Sequence, residues 1–263
     1  MMNKLNLDLD HDLFSGKRSG EVVILRFKDR PLLSETDIDA KEVLFGYLDQ
    51  VASHHDIKVV LIMGAPVKME YGNYIEFYRK IMRSGLYHNY TERFLNAVSQ
   101  FVLKLAGFNK IVVHADSGKI ILLFMNISLA CDYRIITDNT VFQNPNIELN
   151  IVPKGGGVFF LSKMLGSAKA SEILLSGEDI TALEALELGI VDKVVPVKEF
   201  GETAIKVAQT YAEKPANYLS GIKRLLNYDI KTLEGCLECE NELLRRAIRS
   251  IKFKSVEIFH GTP

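Results

Sequence analysis

The sequence predicts an α/β fold, because stretches with strand character alternate with stretches of helical spacing along the chain. Residues 20–27, "GEVVILRF", alternate and are rich in β-branched side chains, which is typical of a strand. Residues 57–63, "IKVVLIM", form a continuous apolar run that fits a strand buried on both faces. Between them, the apolar residues of 38–52 recur at helical spacing. A strand, a helix and a strand in this order indicate the mixed class.

The alternation continues beyond Pro66, which ends the second strand. A Tyr-rich stretch at 73–106 has helical spacing, with a predicted break at Ser84-Gly85. The elements predicted after it are, in order, a strand at 110–114, a turn at Gly118, a helix at 121–131, a strand at 133–136 and, from Ala168 onward, mainly helices that "VVP" at 194–196 interrupts.

Composition and charge argue against several function classes. The chain has 263 residues, with 32 basic and 33 acidic side chains and a formal net charge of −1. Neither nucleic acid nor an anionic membrane is therefore expected as the main partner. No apolar stretch reaches the roughly 20 residues that span a bilayer, and the first residues, "MMNKLNLDLDHDLF", are too acidic and broken for a signal peptide. We expect a cytoplasmic protein without a membrane span.

Three cysteines do not make a disulfide framework. Cys236 and Cys239 form a C-x-x-C pair inside a strongly helical stretch that has no other Cys or His group beside it. A zinc or redox site needs further ligands or a strand-to-helix turn. We therefore expect ordinary cysteines on a helix face and no metal site.

Three consecutive glycines, Gly155 to Gly157, precede a predicted helix. Such a turn can hold a phosphate with its backbone N–H groups, but the Lys-Ser/Thr ending of a P-loop and the spacing of a dinucleotide fingerprint are both missing. The favoured interpretation is that these glycines permit a close approach of the backbone and positive φ angles.

Four segments of the sequence are similar to those of a known superfamily. They are "SLACDYRI", "VFQNPNIELNIVPKGGG", "GSAKASEILLSGEDITALEALELGIVDKVVPVKEF" and "KPANYLSGIKRLLN". They resemble the crotonase (enoyl-CoA hydratase/isomerase) superfamily, and the likeness covers nearly the whole chain. It implies a ClpP-like superhelix of β-β-α repeats at 1–200 and a C-terminal helical trimerisation region at 201–263. It also implies a homotrimer or a dimer of trimers.

The resemblance also implies a shared chemistry, in which two backbone N–H groups bind the carbonyl oxygen of a coenzyme A thioester and stabilise an enolate. Aligned with the family, Tyr71 N–H is the first donor, with Gly72 after it, and Leu123 N–H is the second. Leu122, Leu123 and Phe124 stand where the family has three glycines. The substrate is expected to be an acyl-CoA or a carrier-protein thioester, with no separate cofactor.

The two glutamates of hydratases align with Asn126 and Asn146. An Asp that some members carry eight residues further on aligns with Lys154. Because an amide does not titrate near neutral pH, isomerisation, decarboxylation or thioester hydrolysis is expected rather than two-glutamate hydration. The alternative is a non-catalytic homologue that serves as a binding or structural subunit, since the bulky Leu122 to Phe124 run narrows the approach to the oxygen.

Several of these residues have two interpretations. Asn126 and Asn146 either hold a water or an acyl carbonyl, or are remnants of a lost acid–base pair. Lys154 is either a base of lowered pKa or, as favoured here, a solvent-facing lysine or a ligand of a coenzyme A phosphate. Glu148 shares a side with Asn146 if this segment is strand-like; the favoured alternative is a surface residue.

Other polar and aromatic residues are weaker candidates. His114 and Asp116 end a strand near the mouth of the family's pocket and suit either proton transfer or a structural role. Tyr71, Tyr74 and Tyr78 line an acyl pocket or, as their helical spacing favours, belong to the core. Arg30 and Lys68 align with places where the family meets the adenine and phosphates of coenzyme A.

Overall fold

The computed structural model describes residues 7–28, 35–65, 69–83 and 88–259. Its strands are β1 (Leu9–Asp10), β2 (Phe14–Ser19), β3 (Val22–Phe27), β4 (Val59–Met63), β5 (Ile111–Asp116), β6 (Lys119–Ile121), β7 (Tyr133–Thr137), β8 (Val141–Gln143), β9 (Ile180–Thr181) and β10 (Lys193–Val195). Its α-helices are α1 (Glu35–Ser53), α2 (Tyr71–Arg83), α3 (His88–Ala106), α4 (Leu122–Ser128), α5 (Asn146–Leu149), α6 (Gly157–Leu165), α7 (Ser167–Ser176), α8 (Ala182–Glu187), α9 (Phe200–Ala212), α10 (Ala216–Leu226) and α11 (Ile230–Phe259).

The strands form two sheets. Seven of them lie in the order β1-β2-β3-β4-β5-β7-β10, and a smaller sheet has the order β6-β8-β9. In the larger sheet, β1, β2 and β3 pair antiparallel, whereas β3, β4, β5, β7 and β10 run parallel. Gly118, with a φ of 72°, makes the turn that leads the chain from the larger sheet to the smaller one.

The larger sheet has a core on each of its faces. All five residues of β4 are buried, which explains the continuous apolar run of this segment. On β5, Val112 belongs to the larger core, whereas Val113 and Ala115 belong to the core on the other face. His114 and Asp116 therefore project to the same face as Val112, because strand residues two apart share a face.

The structure confirms the alternation of strands and helices and corrects some of its boundaries. The predicted helix at 121–131 ends at Ser128, because two shorter-range bonds close the last turns: Ala130 N–H donates to the Ile127 carbonyl and Cys131 N–H to the Ser128 carbonyl. The long helical stretch forms α2 and α3, and the predicted break between them lies outside the described residues.

The C-terminal part of the chain is helical, as predicted. The 30-residue helix α11 contacts α2, α3 and α6 of its own chain. Within the described ranges, no helix is long and apolar enough to cross a membrane.

Candidate functional site

A small apolar cavity of about 60 Å³ lies at the carboxyl ends of β4 and β5. Aromatic and aliphatic side chains form most of its wall, among them Phe27, Phe101 on α3, and Phe124 and Ile127 on α4. Ligands of parallel sheets commonly bind outside the carboxyl ends of the strands, and apolar cavities with a few polar groups are the usual small-molecule sites. This cavity is therefore the candidate site.

The polar groups of the cavity are concentrated at the strand ends. His114 is half-buried, Asp116 is 7% exposed, and Lys119 follows the Gly118 turn. The Oδ1 atom of Asp116 accepts a hydrogen bond of 2.8 Å from Ser117 N–H. A methyl group on Gly64 would lie 2.2 Å from that same oxygen, so only glycine lets the carboxylate sit against the end of β4.

The start of α4 adjoins the cavity. Its N-cap residue, Ile121, is extended, with φ −67° and ψ 140°, and makes no side-chain cap. The first N–H groups of a helix have no intrahelical acceptor, and Leu123 N–H is one of them. The Leu123 side chain is 3% exposed and is not among the described cavity-lining groups, whereas Phe124 lines the wall. In the bulky run at 122–124, the Leu123 side chain thus packs into the core, whereas the Phe124 side chain borders the cavity.

Tyr71, the other predicted donor, is the first residue of α2. The hydrogen bond at the start of this helix runs from Tyr74 N–H to the Glu70 carbonyl over 3.1 Å. Tyr71 N–H lies before Tyr74 in the first turn, where the N–H groups have no acceptor within the helix. Gly72 follows on the exposed surface. Met69, two residues before Tyr71, lines the cavity, so the first turn of α2 lies near the cavity's edge.

The Tyr71 hydroxyl donates to the Glu148 carboxylate over 3.0 Å. Arg79 contacts the other carboxylate oxygen at 3.2 Å. Partial burial, and then the hydrogen bond to Glu148, raise the pKa of Tyr71. The strand-like geometry considered for Glu148 is wrong, because the residue lies in the short helix α5. Glu148 is at the surface, as favoured, but two partners hold its carboxylate.

Asn126 and Asn146 lie away from the cavity wall, as far as the described residues form it. Asn126 is fully buried, and its amide donates to the Lys154 carbonyl over 2.9 Å. Its Oδ1 atom has no hydrogen-bond partner among the described residues, and a methyl group on Gly157 would lie 2.4 Å from it. Asn146 is 8% exposed, and its backbone N–H donates to the Asn144 side chain over 3.2 Å.

Of the two favoured interpretations of Lys154, the solvent-facing one is wrong, and binding of a coenzyme A phosphate stays a prediction. The Lys154 side chain is 1% exposed; Nζ donates to Ser99 Oγ over 2.7 Å and lies 3.6 Å from the Glu240 carboxylate. Burial lowers the pKa of Lys154 to about 8, and the attraction of Glu240 only partly opposes this. Burial also raises the pKa of Glu240. Desolvation therefore outweighs pairing for both members of the ion pair.

The glycine turn binds a carboxylate of its own chain. Gly155 and Gly156 have φ values of 98° and 80°, which glycine adopts without strain. Their N–H groups donate to the Glu240 carboxylate over 3.0 and 3.1 Å. The positive-φ interpretation of the turn is confirmed. Sequence reasoning missed Glu240, because its position 85 residues after Gly155 leaves no local pattern.

The remaining candidate residues lie in the core, at the cavity wall or outside the described residues. Tyr74 and Tyr78 are 2% and 1% exposed and belong to the core, as their spacing predicted. Arg30 and Lys68 lie outside the described residues. Cys131 lines the cavity, and burial raises the pKa of its thiol to about 12. In the described ranges, no group of three or more His, Cys, Asp or Glu residues could hold a metal ion.

Comparisons with known proteins agree with this architecture. A family model described as "Enoyl-CoA hydratase/isomerase" matches residues 42–261. The chain is 33% identical to the fatty acid oxidation complex subunit alpha of Shewanella loihica over 146 residues, 55% of this chain and 20% of that protein. It is 33% identical to the 2,3-dehydroadipyl-CoA hydratase of Escherichia coli over 127 residues, 48% of this chain and 50% of that protein. The chain thus spans less than two thirds of the length of these relatives.

Solved structures share the fold. The crystal structure of an enoyl-CoA hydratase from Bacillus halodurans superposes with a TM-score of 0.77 and 19% sequence identity, over 94% of this chain and all of that one. At this identity the likeness shows the fold alone, and it confirms the predicted α/β crotonase architecture.

Proposed function

Because the chain belongs to the enoyl-CoA hydratase/isomerase family, we propose that it binds an acyl thioester of coenzyme A, or of a carrier protein, in the apolar cavity. The thioester oxygen is held by the Tyr71 and Leu123 N–H groups, which stabilise an enolate or a related oxyanion. The observation that carries this proposal is the apolar cavity, which adjoins the start of α4 at the carboxyl ends of β4 and β5.

The lining of the cavity suits such a ligand. An acyl chain is apolar, and Phe27, Phe101 and Phe124 offer apolar walls. The reacting carbonyl is polar and belongs near the strand ends, where His114, Asp116 and Lys119 supply polar lining groups. Backbone donors need no particular side chain, so the bulky residues at 122–124 are compatible with oxyanion stabilisation.

We propose isomerisation, decarboxylation or thioester hydrolysis rather than hydration by two glutamates. Asn126 stands at one glutamate position of the family resemblance, and its amide is fully buried and bonded to the Lys154 carbonyl. Asn146 stands at the other. Neither amide exchanges a proton near neutral pH, and neither is among the described groups of the cavity wall.

The first test is calorimetric titration of the purified chain with coenzyme A and with butyryl-CoA. Ala65→Phe provides the critical variant, because Ala65 is 8% exposed and lines the cavity. The added ring should abolish saturable binding, whereas Ala168→Phe, on the exposed surface of α7, should leave it unchanged. A wild-type chain that binds neither compound, or an Ala65→Phe variant that binds with wild-type affinity, would contradict the proposed site.

A second candidate function is a non-catalytic thioester-binding or structural subunit. Leu122 and Leu123 favour it, because both are 3% exposed and fill the core where the family resemblance expects glycines. A panel of enoyl-, malonyl- and glutaconyl-type thioesters separates the two functions. Turnover of any of them supports the enzyme, and saturable binding without turnover of the whole panel supports the binding subunit.

We also propose a trimer or a dimer of trimers. The support is an exposed apolar face on and just after α10, where Tyr218, Leu225, Leu226 and Tyr228 are 60 to 82% exposed. Sedimentation equilibrium tests the proposal, since a monomer at micromolar concentration would contradict it.

A further inference from the structure

The cavity contains few groups that can transfer a proton. Among its described lining residues, the titratable side chains are His114, Asp116, Lys119 and Cys131. The Cys131 thiol stays protonated near neutral pH, because burial raises its pKa to about 12. The Ser128 hydroxyl donates to the Met125 carbonyl over 2.6 Å. Lys119 is exposed to solvent, which leaves His114 and Asp116 as the inward candidates.

His114 and Asp116 occupy neighbouring places on one face of β5. Residues two apart on a strand are separated by about 6.8 Å and project to the same side. His114 pairs in register with Ile62 of β4, and both line the cavity. Asp116 lies two residues further along β5. Its carboxylate accepts a hydrogen bond from Ser117 N–H and lies against Gly64. The rigid sheet thus presents an imidazole and a carboxylate to the same apolar space.

Histidine is the side chain whose ordinary pKa lies closest to neutral pH, so it can both accept and return a proton there. The buried amides of Asn126 and Asn146 offer no such chemistry. Within the described wall of the cavity, the inward acid–base groups therefore lie at the end of β5.

We propose that His114 is the proton-transfer residue for the ligand of the cavity and that Asp116, on the same face of β5, is a positioning residue for it. This inference rests on the proposed function. The imidazole takes a proton from the carbon next to the thioester carbonyl. The electron pair of the broken C–H bond forms the carbon–carbon double bond of the enolate, and the carbonyl oxygen becomes negative. Return of a proton from the imidazolium to carbon completes the cycle.

The test measures exchange of the α-hydrogens of butyryl-CoA in D2O by mass spectrometry, with the full-length chain. The wild-type chain is expected to incorporate deuterium. His114→Gln should slow exchange by at least about 100-fold, the lower range for general acid–base catalysis, while the calorimetric affinity stays within about threefold. His55→Gln is the matched control, because His55 is exposed outside this cavity. Asp116→Asn keeps the imidazole and should slow exchange less than His114→Gln does.

The possible outcomes distinguish failure of the His114 role from failure of the proposed function. Wild-type exchange that survives in both His114→Gln and Asp116→Asn would overturn the role of His114 and leave the proposed function standing. A wild-type chain that binds butyryl-CoA without exchanging it would likewise overturn the proton-transfer role alone. Absence of binding would remove the proposed function itself. If His114→Gln does not fold, as judged by circular dichroism, Asp116→Asn decides the question by its exchange rate at unchanged affinity.

Discussion

The two sides of α4 differ although only one short helix separates them. On one side, Phe124 and Ile127 face a cavity whose polar groups come from the end of β5. On the other side, Asn126 meets a closed polar cluster that Lys154, Ser99 and Glu240 complete. The closed cluster joins the glycine turn to α11, and the open side keeps space for a ligand. Polar residues on the two sides are therefore expected to respond differently to substitution, in stability on one and in ligand chemistry on the other.

The largest expected effect is on the closed side. Glu240→Ala leaves the buried Lys154 ammonium and the N–H groups of Gly155 and Gly156 without their carboxylate. Loss of one partner of a buried pair typically lowers the free energy of unfolding by about 3–5 kcal/mol, which urea denaturation measures. Glu238→Ala, on the exposed face of α11, should change it by less than about 0.5 kcal/mol. Equal effects of the two variants would show that the cluster is dispensable.

On the open side, Gly64→Ala should cost less stability and more chemistry. Its methyl group would lie 2.2 Å from the Asp116 carboxylate, so the carboxylate must move. Overpacking of this kind lowers the free energy of unfolding by about 1–3 kcal/mol, and α-hydrogen exchange should slow together with it. Gly46→Ala is the control, because no atom of the described residues lies within 4 Å of its added methyl group in α1; it should stabilise the chain slightly. Unchanged exchange in Gly64→Ala would argue against a positioning role for Asp116.

The ion pair should also give the closed side a distinct pH dependence. The pKa of Lys154 is about 8 in the folded chain, below its ordinary 10.5. Between these pH values the unfolded chain holds the proton and the folded chain has lost it, so the free energy of unfolding rises with pH. The slope from this group is at most about 1.4 kcal/mol per pH unit. Lys154→Met should lose that slope, and Lys198→Met, which is exposed, should keep it. Parallel curves for Lys154→Met and the wild type would contradict the lowered pKa.

The smallest effect on stability is expected at the surface contact between the Tyr71 hydroxyl and the Glu148 carboxylate. Glu148→Gln keeps a hydrogen-bond acceptor but removes the charge, so the pKa of Tyr71 should fall toward its ordinary value of 10.0. Because Glu148 is about half exposed, the stability change should stay below about 1 kcal/mol. NMR titration of labelled tyrosine, assigned with Tyr71→Phe, measures the pKa. An unchanged Tyr71 pKa would show that Glu148 does not control the phenol.

The sequence predicted the elements whose residues carry their own pattern. The apolar run of β4 predicted a strand buried on both faces, and the spacing of Tyr74 and Tyr78 predicted core residues; both predictions are confirmed. The helical four residues of α5 were missed, because one turn of helix is too short to show a period.

The candidate site was less predictable, because burial depends on partners distant in sequence. Lys154 is buried since Glu240 and Ser99 reach it from α11 and α3, whereas lysines are mostly exposed. His114 and Asp116 were recognised as candidates near a pocket mouth, but only the packing of α3 and α4 over β5 places both in one cavity wall. The roles of Tyr71, Leu123, Asn126 and Asn146 stay predictions.

The bond between Glu240 and the glycine turn also has a consequence for how the chain folds. Its partners are 85 residues apart, and contacts of large sequence separation form slowly, because the intervening chain must first be ordered. The donors of the turn emerge from the ribosome well before their acceptor, so the turn stays incomplete until α11 docks. The amide hydrogens of Gly155 and Gly156 should therefore become protected from solvent exchange among the last in refolding, at the moment when α11 closes over α3 and α6.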